Sequence, residues 1–95
     1  MFETVEAAVN AAREAARVAD PDALDGPGAE RLLAAGTAIK RAGETLELLA
    51  AHRLQETDAG RREGDRTQTD YLARKTGTTK REAEATLRTA RHLDP

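Results

Sequence analysis

The sequence predicts an all-α domain: a long antiparallel helical hairpin followed by a helix-turn-helix-like pair, about four helices in 95 residues. Three observations carry this. Ala, Glu, Arg and Leu dominate, all strong helix formers, with 20 Ala and 12 Arg. Apolar residues recur at steps of three and four through the first half of the chain. Helix-stop and helix-start chemistry is written into Tyr71–Leu87, YLARKTGTTKREAEATL.

Phe2, Val5, Val9, Ala12, Ala16 and Ala19 form one stripe on a first helix of about eighteen residues. Asp20-Pro21 ends it, because the residue before a proline avoids helical geometry. PDALDGPG then reads as a loop. The second helix is expected to start near Gly28 or Ala29 and to run to about Asp58. It carries a heptad of Leu32, Ala35, Ile39, Ala42, Leu46 and Leu49, with Arg53 where the next apolar residue belongs. Gly36, Gly43 and Ala50 recur every seven residues beside it.

Glycine inside a helix costs about 1 kcal/mol against Ala. Two at one phase point to another backbone packing close; glycine tolerated on an exposed face is the alternative. Only 17 apolar residues are larger than Ala. At about 2 kcal/mol each when buried they make a thin core, of the kind a second copy completes. Leu32, Ala35, Gly36, Ile39, Ala42, Gly43, Leu46 and Leu49 are therefore the candidate interface of a homodimer.

GRREGD, Gly60–Asp65, breaks the helical pattern. Thr67 caps a third helix, with Asp70 placed where the helix dipole favours a carboxylate. Gly77 ends it by accepting left-handed geometry. Thr79-Lys80-Arg81-Glu82 is a capping box opening the fourth helix.

The inventory removes several function classes. There is no Cys and no Ser, and the two His, His52 and His92, stand forty residues apart. Thiolate metal sites and Ser or Cys nucleophiles are excluded, so no enzyme and no cofactor is expected. His52 with Glu47 and Glu56 has a spacing that binds metal in isolation, but a solvated helical His is the commoner case. No apolar run reaches membrane-span length, and MFETVEAAVN carries acid where a signal peptide carries base, so the expected location is cytoplasmic. Arg outnumbers Lys 12 to 3 amid abundant Ala and Gly, which suggests a GC-rich bacterial genome.

Net charge is −2, unevenly spread. Residues 1–58, the hairpin and dimerisation part of a single domain, hold 6 basic and 11 acidic side chains. Residues 59–95, the helix-turn-helix-like part, hold 9 basic and 6 acidic. A basic third is thus concealed by overall acidity. Ala73, Gly77 and Ala83 sit at the offsets a DNA-reading helix-turn-helix needs for its small residue, turn glycine and apolar anchor. The next packing position has moved from Thr86 to Leu87.

Arg74, Lys75, Thr79, Lys80, Arg81, Glu84, Arg88 and Arg91 are the candidate contacts to double-stranded DNA. Arg forks can reach guanine edges or phosphates, and Glu can accept from cytosine. Lys80 and Arg81 would meet bases while Arg74, Arg88 and Arg91 hold the backbone. About five neutralised phosphates imply a log–log salt slope of roughly −4 to −5. The alternative pairs Arg88 and Arg91 with carboxylates and leaves Arg74 and Lys75 to complement a helix dipole. The chain is then a protein-interaction or dimerisation module without DNA contact.

These residues carry a family resemblance. The run GRREGDRTQTDYLARKTGTTKREAEATLRTARHL resembles the thirteen-E-twelve repeat family, the actinobacterial domain of unknown function 222. Tyr71-Leu72-Ala73-Arg74, Thr76-Gly77, Thr79, Glu82-Ala83, Leu87, Ala90 and Leu93 match its motif positions, and the Ala/Leu-rich helices ahead look like its N-terminal part. The resemblance implies a helical domain of the kind found ahead of HNH endonucleases, in a phage or mobile-element setting. With no Cys and no second nearby His, the nuclease metal site does not carry over. The chain is expected to be either the N-terminal piece of such a protein or a stand-alone relative.

Overall fold

A computed structural model of the chain describes residues 1–57 and 64–92, and these are all-α. Helix α1 spans Phe2–Val18, a single 3-10 turn spans Pro21–Ala23, and α2 spans Gly26–Thr57. Helices α3, Gln68–Thr76, and α4, Lys80–Ala90, follow. The expected end of the second helix at Asp58, most of the Gly60–Asp65 turn (residues 60–63) with Arg61 and Arg62, and Leu93 lie outside the described residues.

The PDALDGPG segment is more ordered than a loop. The Asp20 carboxylate accepts from the Asp22 N–H at 3.0 Å and Pro21 opens the 3-10 turn. The Asp25 carboxylate accepts from the Gly28 N–H at 2.7 Å, and the Ala29 N–H reaches the Asp25 carbonyl at 2.9 Å. Asp25 is thus the cap and α2 starts at Gly26, two to three residues before the expected Gly28 or Ala29. Pro27 sits in the first turn, where its missing N–H costs nothing.

The chain divides into two compact units, Met1–Arg41 and Ala42–Pro95. In the first, no residue is buried, and Val5, Ala12, Gly28 and Thr37 are half-buried. Phe2, Val9, Val18, Leu32, Leu33 and Ile39 are exposed.

The second unit holds the core. Ala51 from α2, Leu72 from α3 and Ala83, Leu87 and Ala90 from α4 are buried together, with Ala73 packed against them. Tyr71 is buried as well. Three of the five members of this cluster are Ala, so the helices approach closely, and the two leucines are its large aliphatic side chains. Two long-range bonds tie α2 to α4. The Gln55 amide donates to the Leu87 carbonyl at 3.5 Å, and His52 Nδ1 donates to the Ala90 carbonyl at 3.1 Å. His52 Nε2 lies 3.1 Å from Glu56 Oε1, so His52 serves packing between helices.

Candidate nucleic-acid interface

The pair of helices that would meet DNA is built from local chemistry. The Thr67 hydroxyl accepts from the Asp70 N–H at 3.0 Å and starts α3. Gly77 follows α3 at φ 70 and ψ 24, a left-handed conformation that costs glycine little. The Thr79 hydroxyl accepts from the Glu82 N–H at 3.1 Å, while the Glu82 carboxylate accepts from the Thr79 N–H at 3.4 Å. Both halves of the expected capping box are therefore formed. Leu87, the displaced anchor, is 2% exposed, and Thr86 turns its hydroxyl back to the Glu82 carbonyl at 3.1 Å.

With Ala83, Leu87 and Ala90 fixed inward, helical geometry sends Arg81, Glu84, Arg88 and Arg91 to one sector about 80° wide, facing away from that line or beside it. All four are exposed. Glu84, Arg88 and Arg91 line a cleft of about 290 Å³ with Leu87 and with Thr69 of α3. Among the described residues Arg81, Arg88 and Arg91 have no ion pair, so the expected alternative of carboxylate partners for Arg88 and Arg91 does not hold there.

The other basic candidates are engaged. Arg74 donates to both Asp65 oxygens, at 3.2 and 2.8 Å, and its guanidinium lies 5.6 Å from the Tyr71 ring centre. Lys75 Nζ lies 5.8 Å from the same ring. Both stand in the last turn of α3, where cations offset the carbonyl end of the dipole. Lys80 Nζ sits 3.0 Å from Asp70 Oδ1 across the turn. The hydrogen bond from Arg74 holds the Asp65 carboxyl below its ordinary value. That from Lys80, then Thr67, does the same for Asp70. Thr79 is spent as a cap.

Of the eight predicted contacts, four thus form one open surface on α4 and four are tied to the fold. Sequence reading missed Asp65 as Arg74's partner and Asp70 as that of Lys80. Separations of nine and ten residues across a break follow no helical period, although opposite charges flanking a short turn were visible.

Among the described residues, a single chain leaves most of the predicted dimer residues exposed. Leu32, Ala35, Gly36, Ile39, Ala42, Leu46 and Leu49 are exposed and Gly43 is half-buried. A Cβ added at Gly36 or Gly43 would meet nothing within 4 Å. Among the described residues no group of three or more His, Asp or Glu side chains could hold a metal ion, and no helix is long and apolar enough to cross a membrane. Comparison of the chain with family models, with curated proteins and with solved structures finds no match.

Proposed function

We propose that the chain is a non-enzymatic DNA-binding or DNA-associated regulatory module that contacts duplex DNA through α4. The observation that carries this reading is the surface of Arg81, Glu84, Arg88 and Arg91, exposed on a helix whose adjoining face is buried. Arg81 lies near the N-terminal end of α4, the part of a recognition helix that meets base edges. Arg88 and Arg91, beside the cleft shared with Thr69, hold backbone phosphates. On this reading the chain stands beside the thirteen-E-twelve repeat proteins it resembles, with a cytoplasmic place of action and a phage or mobile-element setting.

Pairing of Arg74 with Asp65 and of Lys80 with Asp70 revises the phosphate count downward. Three open arginines per chain imply a log–log salt slope of about −3 instead of roughly −4 to −5. Fluorescence anisotropy with labelled duplex, starting at about 50 mM salt, measures it. Arg81→Ala should weaken a preferred site by about 1–3 kcal/mol, and Arg91→Ala should weaken all sequences alike. Binding unaffected by joint neutralisation of Arg81, Arg88 and Arg91, or no binding at all, overturns the proposal. The second reading, a protein-interaction or dimerisation module, is favoured by a separate observation: among the described residues, the large apolar side chains that are exposed all fall within residues 1–49.

A further inference from the structure

The unit Met1–Arg41 contains no buried residue, yet it carries Phe2, Val9, Leu32 and Ile39 in regular helices. Helices gain most of their stability from packing an apolar face, and here a single chain covers that face only in part, with Val5 and Ala12 half-buried. Ile39, at the middle of the heptad, is 54% exposed. Exposed apolar surface of this extent marks an interaction site.

The shape of the α2 face says what covers it. At about 100° per residue, Leu32, Ile39 and Leu46 share a sector about 80° wide with Gly36, Gly43 and Ala50. Three large side chains and three small ones alternate along one line. Reversing the helix about the level of Arg41 sets Leu32 opposite Ala50, Ile39 opposite Gly43 and Leu46 opposite Gly36. Every large residue then meets a small one, and no other partner is needed to complete the match. A two-fold interface requires this self-complementarity, since the same patch serves both copies.

We infer that α2 pairs antiparallel with α2 of a second copy, about a two-fold axis level with Arg41, and that α1 of each copy completes the interface. The area requires α1. Residues 32–50 span about 27 Å, and a helix about 12 Å across leaves a footprint of roughly 320 Å² per chain. Stable interfaces bury about 600–1,000 Å² per partner. The stripe of Phe2, Val5, Val9 and Ala12 on α1, about 15 Å long, adds roughly 180 Å² and brings the total to roughly 500 Å² per chain, about 1,000 Å² in all, the least a specific interface needs. The pairing is independent of the DNA reading, and either stands if the other fails.

A chain without cysteine makes the register directly readable. In the inferred pair the two copies of residue 32, and likewise of residue 50, lie about 27 Å apart along the axis, beyond disulfide reach. Leu32→Cys and Ala50→Cys each replace an exposed side chain, so both variants keep the fold, which circular dichroism verifies. Under mild oxidation, each single variant should stay uncrosslinked. An equimolar mixture of the two, or the double variant, should give a covalent dimer. Wild type at about 200 µM should sediment near twice the 10.2 kDa chain mass. Val9→Asp should raise the dissociation constant about tenfold or more by placing charge in the seam. Crosslinking of the single variants would indicate a parallel pair and overturn the register. Sedimentation of wild type at the chain mass would overturn the dimer.

Discussion

Leu87→Ala tests where the stability of this chain resides. Leu87 is 2% exposed and, among the described residues, is one of two large aliphatic side chains in a cluster completed by Ala51, Ala83 and Ala90. Truncating a leucine so enclosed costs about 3–5 kcal/mol, the transfer term plus the cavity left behind. Helices joined by alanines have little to collapse into the gap, which favours the upper half of that range. A unit of some fifty residues holds only about 3–8 kcal/mol in total. The substitution should therefore leave α3 and α4 largely unfolded at room temperature. Urea melts followed by far-ultraviolet circular dichroism would show loss of the cooperative transition, or a midpoint lowered by more than half. Leu33→Ala is the control, because Leu33 is 73% exposed and its loss should stay within about 0.5 kcal/mol. A cost below about 1 kcal/mol for Leu87→Ala, or a greater one for Leu33→Ala, would refute this placement of the core.

Capping at the turn should outweigh its exposed charges: Thr79→Ala should cost about 1 kcal/mol. Gly77→Val should cost more, because a branched residue is forced into left-handed geometry. Lys80→Ala should stay within about 0.5 kcal/mol despite its ion pair, since the lysine is largely exposed. Denaturant melts that rank Lys80→Ala worst would show that the turn is held by charge. Acid should loosen α3 and α4 through Asp65 and Asp70, whose folded values lie below the unfolded carboxylate value of about 3.9. Their contribution is fully present above about pH 3.9 and is lost as pH falls through the folded values. Urea midpoints between pH 6 and 2 should therefore drop less steeply for Asp65→Asn/Asp70→Asn than for wild type. Equal steepness would mean that these pairs do not couple to folding.

Much of this chain is legible without coordinates, and the legible parts share one property. Thr67 on the Asp70 N–H, Gly77 in left-handed geometry and Thr79 paired with Glu82 are interactions between residues at most four apart. Chain connectivity already holds such groups within reach, so residue type and spacing determine the outcome. The misplaced start of α2 had the same local basis. Asp25 ahead of Gly26-Pro27 is a cap with proline in the first turn, a signal outweighed by counting prolines and glycines as breakers.

Tertiary structure alone decided which apolar stripe is buried. The heptad of Leu32, Ile39 and Leu46 is the stronger pattern, yet these residues are exposed while Ala51, outside that heptad, is fully buried. Periodicity shows that a helix has an apolar face. It does not say whether another segment of the same chain reaches that face. His52 and Gln55 find the end of α4 across 38 and 32 residues, a match no local window contains. Selection among the basic residues was likewise tertiary. Arg74 and Lys80 are as basic as Arg81, Arg88 and Arg91 in sequence. The turn ahead of α3 sets Asp65 beside Arg74, the approach of α4 to α3 sets Asp70 beside Lys80, and the other three face outward, because ion pairing depends on distance in space.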